Sequence, residues 1–583
     1  MKKLLFRNVF KEAPLRKQIS KPLTMIAGVI AVTFAFFSQA RLDPQPEHDG
    51  YMLATAIGTS EGQKLYVDIV SWYGPATTWL QALAINIMGP ELLSIRYLSA
   101  FLLTLTALIL YVVTKEISNT AYAMLAVAIW VSFNPSWSVL PNDFMPQLPW
   151  PSDLFSLAMI LTLGSYIKFV KTEKHQWLVA VGAAVVLGFF SRPHSGILLI
   201  LTVVFLLAFD PVKNEARFLA LVSLGKGIVL ASIVPFVIMF RQKSLREFFD
   251  QTLLLPSEIF DLPVFFDFLK RVTEYPMVLF GLATILLFLT FVLAHSRRSR
   301  DITTAAIMSI LLLLTITAVS HSTWPNIYQV PTFTPLYLIF PMYIIGFVYS
   351  VVDFFGAKRL PIDLRSALVI GAVAIPGIYP SADALHYWWV VVALMPGVFG
   401  LIEYLNIQLT NPFPRSSIVI IAMGVVLAGG FLLHSKLIQP RIHLSAPVLN
   451  GMMTQVEFSD DFKRVDEILL NNSNYRFAMF CGSPLLGVWN GTYQISGNFV
   501  YGIFRQYGFN PDPEKQEYYE QVYVEPNPTA LICSATPQDL ERDIDDLGLV
   551  VKAWTPGDVP IVLSGMEKYG YRPSYFIAIA ETN

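Results

Sequence analysis

The chain has 583 residues, 54% of them hydrophobic and only 14% charged, with a mean hydropathy of +0.53. A soluble domain carries about 25% charged residues, so the composition excludes an ordinary soluble globule and points to a polytopic membrane protein. The net charge of −1 supplies no global field of the kind that draws nucleic acid.

The N-terminal tail is basic (Lys2, Lys3, Arg7, Lys11, Arg16, Lys17 and Lys21) and leads into an apolar run at 22–40. No small-residue cleavage pattern follows that run, so it reads as a retained first helix and not as a removed signal peptide. Further runs of spanning length follow at 92–114, 119–138, 153–170, 175–191, 194–209, 217–240, 275–294, 302–320, 331–351, 366–380, 386–404 and 416–434. The expectation is a polytopic α-helical membrane protein of about thirteen transmembrane helices.

Charge supplies the topology. With the basic tail inside, alternate loops carry Lys115, then Lys168, Lys171 and Lys174, then Lys213 and Arg217, then Arg297, Arg298 and Arg300, then Lys358, Arg359 and Arg365, then Arg415. This follows the positive-inside rule. The intervening loops are aromatic and proline-rich, except 241–274, which carries Arg241, Lys243, Arg246, Lys270 and Arg271. An odd helix count places the C-terminus outside. From about residue 440 the long apolar runs stop, and short strand-like stretches alternate with the polar helical stretch PQDLERDIDDLGL. The expected division is therefore a transmembrane module over 1–439 and a small extracytoplasmic α/β domain over 440–583. Cys481 and Cys533 both follow short apolar strands in that second part. A disulfide in an oxidising compartment and two buried thiols are both compatible with this placement. There is no CxxC motif and no Cys/His cluster, which argues against a thiolate zinc site.

The first expected outer loop, 41–91, is the most patterned part of the chain. Glu47-His48-Asp49-Gly50-Tyr51 comes first, where carboxylates leave a membrane helix and are costly if they face lipid. Gly62, Tyr66 and Asp68 follow in a Gly-x-x-x-Tyr-x-Asp segment, then Tyr73-Gly74-Pro75. The stretch over 76–89 is too short to span a bilayer and carries Thr, Gln and Asn, so it reads as an interfacial helix lying on the outer leaflet. Arg96 and Ser99 open the next helix. Taken alone, Glu47 and Asp49 are also compatible with ordinary loop acids.

This order of motifs, over about fifty residues, resembles the GT-C superfamily of integral-membrane glycosyltransferases, which includes protein O-mannosyltransferases and aminoarabinose transferases. The usual Asp-Glu pair reads His48-Asp49 here. The resemblance implies a glycosyltransferase that moves a sugar from a polyprenyl-phosphate-linked donor to a lipid, glycan or protein acceptor at the outer face, in a bacterial inner membrane. It makes Asp49 the expected general base for the acceptor hydroxyl, with Glu47 as competitor. His48, Tyr51, Tyr66, Asp68 and Arg96 become substrate-binding candidates. In the second outer loop Asp143 is favoured to orient the acceptor or to help hold a divalent metal, whereas Asp153 suits a helix cap. No cofactor is otherwise implied.

The donor phosphate needs cations. Arg192, in the tight turn Ser191-Arg192-Pro193-His194, suits bidentate phosphate binding. His194 stands beside it, Arg241 and Lys243 with Arg246 form a second cluster, and His321 a third. Snorkelling to headgroups is the competing role for Arg192. Two rival functions remain: a flippase or transporter of lipid-linked sugars, which would carry charges in the middle of its spans, and a lipid-linked oligosaccharide ligase.

Overall fold

The structure, a computed structural model, describes residues 14–45, 48–137, 149–209, 214–254, 330–355, 360–378, 384–408, 415–456, 459–471, 476–479, 484–489, 495–496, 529–534, 549–555, 561–562 and 574–582. Helices dominate: α1 (Pro14–Phe37), α2 (His48–Ser60), α3 (Pro75–Met88), α4 (Leu92–Ile117), α5 (Thr120–Ser132), α6 (Pro151–Thr172), α7 (Gln176–Ser191), α8 (Pro193–Phe209), α9 (Asn214–Gln242) and α10 (Leu245–Phe249). After the next described residues begin, α11 (Val330–Phe355), α12 (Ile362–Gly371), α13 (Ala384–Gln408) and α14 (Arg415–Leu437) complete the helical part.

Most apolar runs read from the sequence fall inside these helices with ends displaced by a few residues. Five helices among the described residues are long and apolar enough to cross a membrane: 92–117, 151–172, 216–242, 385–407 and 415–437. The helices at 120–132, 176–191 and 193–209 are apolar but shorter. The expected run at 366–380 breaks instead: α12 ends at Gly371 and a 3-10 segment, Ala372–Ile378, carries Pro376. A proline there removes a helical N–H and clashes with the preceding turn. The expected spans at 275–294 and 302–320 lie outside the described residues.

Local signals set the helix ends. Asn119 caps α5 by accepting from the amides of Ala121 and Tyr122, at 2.8 and 3.2 Å. Pro75 and Pro151 start α3 and α6 at positions that need no N–H. Gly89, at φ 104°, ends α3 in a conformation that favours glycine.

The core lies between the long helices. Trp130 of α5 and Trp388 of α13 stack at 4.8 Å, nearly parallel. Each indole N–H donates to the other's backbone carbonyl, at 3.1 and 2.8 Å, so both polar groups are satisfied inside an apolar core. Outward faces are apolar as well. Phe240 of α9 and Leu427 of α14 are 77% and 73% exposed, as expected of surfaces that lipid covers.

The two ends of the helix layer differ. At one, Lys168 pairs with Glu116 at 2.6 Å and Lys171 with Asp363 at 3.3 Å. At the other, the starts of α4, α6 and α13 meet the ends of α1 and α7. There the Ser191 hydroxyl donates to the Pro151 carbonyl at 2.7 Å, and the Trp389 indole donates to Asp153 at 2.9 Å.

Residues after α14 return to this second end. Strands β1 (Arg441–His443) and β2 (Met453–Gln455) form an antiparallel hairpin. The hairpin is stitched to the first loop: the Asp43 amide donates to the Met453 carbonyl at 2.8 Å, and the Met453 amide to the Arg41 carbonyl at 2.7 Å. Beyond it stand helices α15 (Ser459–Asn471) and α16 (Pro484–Gly487) and strands β3 (Arg476–Met479), β4 (Ile495–Ser496), β5 (Thr529–Ser534), β6 (Leu549–Thr555), β7 (Ile561–Val562) and β8 (Ser574–Thr582). The sheet order is β4-β3-β5-β8-β6, with β7 beside β8; β3 runs parallel to β4 and β5, and β8 antiparallel to its neighbours. Cys533 lies on β5 in register with Met479, the last residue of β3, whereas Cys481 lies outside the described residues.

Candidate active site

The first loop is not an extended segment. His48 to Ser60 form α2, and ten of its residues, from Asp49 to Gly58, are buried. Its inner face joins Leu444, Val448, Leu449, Phe462, Leu485 and Trp489 in one apolar cluster. A Cβ on Gly50 would run into the backbone of Leu485, so a glycine is needed where α16 crosses α2. The motif at 47–51 reads as a loop in the sequence because its acids and glycine mask the helical pattern that starts at Tyr51.

Asp49 sits in the first turn of α2, where a helix N-terminus favours a carboxylate. Arg96, in the second turn of α4, reaches it with two nitrogens. Nε donates to Oδ1 at 3.2 Å, and Nη2 contacts Oδ2. The Gln45 amide also donates to Oδ2, at 2.7 Å. Both side chains of the ion pair have zero exposure. Burial pushes the Asp49 carboxyl above the usual range, and Arg96 pulls it back down. The rest of the guanidinium goes to backbone carbonyls: Leu42 at 2.5 Å, Asp43 at 3.1 Å and Ala40 at 3.4 Å. Arg96 thus gathers the exit of α1 and the start of α2 onto α4. Asp43 continues the network by accepting from Arg441 at 3.1 Å, a second pair with both side chains nearly fully buried.

Above this network lies an aromatic cluster. His48, exposed at the start of α2, stands 5.0 Å from Trp150 between ring centres. Tyr51 and Tyr73 lie 6.3 and 5.2 Å from the same indole. Tyr51 also donates to the Ser71 hydroxyl at 3.3 Å. Tyr66 and Asp68 shape the loop beneath. Tyr66 adopts φ 72° and is buried; its hydroxyl donates to the Tyr73 carbonyl at 2.6 Å, and burial raises its pKa well above the ordinary phenol value. The exposed Asp68 carboxylate accepts from the Lys64 amide at 2.7 Å and closes a local turn. Gln251, beyond α10, clamps the loop by donating to the Tyr66 carbonyl at 2.8 Å and accepting from the Ser71 amide at 3.0 Å.

Next to Trp150 a small cleft, with room for about one water-sized group, opens between α3, α4 and the head of α6. Its polar lining is Thr77, Gln81, Ser99 and Asp153. Asp153 Oδ1 accepts from the Trp389 indole and Oδ2 from the Ser99 hydroxyl. Asp153 is itself buried, 2% exposed, and lines the cleft. Arg192 ends α7 nearby. Its guanidinium donates to the Ser152 hydroxyl at 3.2 Å and is half-buried. Burial lowers its pKa and the nearby Tyr73 opposes that. It stays cationic, because a guanidinium holds its proton throughout the physiological range.

The structure therefore brings together Asp49, His48, Tyr51 and Arg96, with Asp153, which the sequence reading ranked as a cap. Arg192 is placed beside Ser152 and Tyr73. His194 is exposed in the first turn of α8. Arg241 and Lys243 are exposed at the turn from α9 to α10; no described contact joins either to the cleft. Tyr66 and Asp68 hold the loop and are not at the cleft surface. Glu47, Asp143 and His321 lie outside the described residues. Among the described residues no group of three or more His, Cys, Asp or Glu is placed to hold a metal ion. Gln81, Trp150 and Arg441 were not singled out from the sequence. Their only signals there were a polar position on a short apolar helix, an aromatic before a proline, and an arginine just past the last apolar run.

Residues 73–239 match the family described as dolichyl-phosphate-mannose-protein mannosyltransferase. That segment contains Gln81, Arg96, Asp153 and Arg192 and bears out the resemblance to GT-C glycosyltransferases. No curated protein matches the chain. Among solved structures, ArnT from Cupriavidus metallidurans bound to undecaprenyl phosphate is 14% identical, with 96% of this chain and 97% of that chain covered and a TM-score of 0.45. The Archaeoglobus fulgidus oligosaccharyltransferase in complex with Zn and sulfate is 11% identical, with 87% and 67% covered and a TM-score of 0.44. The oligosaccharyltransferase AglB from the same organism, in complex with an inhibitory peptide and a dolichol-phosphate, is 13% identical, with 87% and 69% covered and a TM-score of 0.44.

Proposed function

We propose that this chain is a membrane glycosyltransferase of the GT-C type that moves one sugar from a polyprenyl-phosphate-linked donor to an acceptor hydroxyl at the outer face of a bacterial inner membrane. The observation that carries this reading is the family match over 73–239, because that segment supplies the cleft, its carboxylate and its arginine. The charge-sorted loops support the outer placement: Lys168 and Lys171 stand at the end of the helix layer opposite the cleft. The polyprenyl chain cannot leave the bilayer, so a site at the end of the helix layer, beside lipid-exposed α3, suits it.

In this reading the acceptor oxygen attacks the anomeric carbon as the bond from that carbon to the phosphate oxygen breaks. The polyprenyl phosphate leaves with the electron pair. Arg192 steadies the phosphate charge by bidentate donation. The acceptor proton passes to a carboxylate. Asp49 is the base that the resemblance implies, but it is held by Arg96 and the Gln45 amide, has no exposed surface and is not part of the cleft lining. Asp153 is almost as buried but lines the cleft, so it takes the base role here, and Asp49 with Arg96 positions the first loop.

Two variants test the assignment. Asp153→Asn removes turnover while the protein stays folded and still binds polyprenyl phosphate. Asp49→Asn lowers thermal stability. Near-normal turnover in Asp153→Asn, with turnover lost in a stably folded Asp49→Asn, would return the base role to Asp49.

A further inference from the structure

The short helix α3 is amphipathic in the inverted sense. Leu83, Ile87 and Met88 are 53%, 73% and 45% exposed, whereas Thr77, Thr78 and Gln81 are buried. In water this pattern would be unstable. Against lipid it is sensible, and it means the polar face was placed inward for a reason other than solvation.

Gln81 shows what that face lacks. Its amide nitrogen donates to the Pro149 carbonyl at 2.8 Å and approaches the Met52 sulfur at 3.9 Å. A carbonyl can only accept, so the nitrogen must be the group at Pro149, and the amide orientation is fixed. The remaining atom, Oε1, is buried and has no hydrogen-bond partner among the described residues, although the residue lines the cleft. A buried acceptor left unpaired costs about 1–3 kcal/mol, so its natural complement is a donor that enters from the cleft.

We infer that Gln81, with Trp150, forms a sugar-recognition subsite: Gln81 Oε1 accepts one hydroxyl of the donor's sugar ring, and the ring lies against the Trp150 indole beside His48. This rests on the donor reading above. Water, phosphate and a polyprenyl chain fit the site less well. Phosphate has acceptors where Oε1 needs a donor. A hydrocarbon tail leaves Oε1 unpaired. Water would satisfy Oε1 but gives no reason for a half-buried indole and a histidine at the mouth. A hexose or pentose offers both complements, a hydroxyl donor and a face of C–H groups, which suits the negative face of an aromatic ring. The cleft has room for about one hydroxyl, so the ring itself stays at the mouth.

The test uses the full chain in lipid nanodiscs. Affinity is measured for polyprenyl phosphate and for the same lipid carrying mannose, glucose or arabinose. The wild type binds at least one sugar-bearing lipid about tenfold more tightly than the bare lipid, and Gln81→Met loses that difference while binding the bare lipid as before. For the preferred sugar, a deoxy series pins the contact: removing one particular hydroxyl weakens binding to the wild type and not to Gln81→Met. Trp150→Ala loses the sugar increment and Trp150→Phe keeps part of it. If Gln81→Met weakens bare and sugar-bearing lipids equally, Gln81 only holds the Pro149 segment and the subsite is overturned, while the donor reading survives. If the wild type prefers no sugar-bearing lipid to the bare one, the subsite is also overturned. If it binds none of these lipids, the donor reading falls and takes the subsite with it.

Discussion

At the scale of single residues, two buried ion pairs and one glycine hold the site. Removing one member of a buried pair leaves the other charge without compensation and costs about 3–5 kcal/mol. Arg96→Met should therefore lower the melting temperature sharply and raise susceptibility to proteolysis within 41–60, which limited digestion would show. A melting temperature within a degree or two of wild type would mean that Asp49 and Arg96 are not paired. Gly74 is a subtler case. Its amide donates to the Ser191 carbonyl at 3.0 Å, and a Cβ would meet the Phe190 carbonyl. Gly74→Ala should destabilise by about 1–3 kcal/mol through backbone displacement, with Ser191 and Arg192 shifted. Unchanged thermal unfolding would contradict that close approach. The sequence made Gly74 visible only as part of Tyr73-Gly74-Pro75, a turn signal. That the turn packs against the end of α7 depends on a contact 117 positions away, which no local pattern encodes. Asp153 shows the same dependence on distant contacts. Its position in the first turn of α6 is what a cap looks like, and its place in the cleft lining appears only when α3 and α4 close around it.

At the scale of elements, the hairpin β1–β2 acts as a clasp. It adds backbone hydrogen bonds to residues 41–43 and brings Arg441 onto Asp43. Arg96 takes the carbonyl of the same Asp43, so the residues after α14 and the first loop share one polar network. Arg441→Gln should loosen 41–45 and reduce turnover. Hydrogen exchange over 41–60 should rise in that variant, while exchange in α13 stays at wild-type levels. Equal protection in both proteins would show that the clasp carries no coupling. Helices were the legible elements, since a long apolar run between polar breaks is a strong signal. α2 was not, because its inward face is met by residues from 444 onward and its sequence lacks a lipid-facing stripe. The inverted face of α3 was half legible: the polar positions were visible, but an interfacial helix in isolation gives no reason to turn them inward.

At the scale of the whole molecule, the cleft lies at the end of the helix layer away from Lys168 and Lys171. Composition and apolar runs were enough to predict a membrane protein, and the motif order between Asp49 and Arg96 was enough to suggest the class of reaction. The family match over 73–239 agrees with that class. The roles within the site were not legible, because a carboxylate sealed under an arginine and one lining a cleft look alike in a sequence. The measurement that tests the central claim most directly follows a labelled sugar in membranes containing the wild type or Asp153→Asn, supplied with polyprenyl-phosphate-linked sugar on the outer side. The account predicts that label leaves the lipid and appears on an acceptor in wild-type membranes and stays on the lipid in the variant. Label that crosses the bilayer still attached to its lipid, with no transfer in either membrane, would contradict a glycosyltransferase and identify a transporter instead.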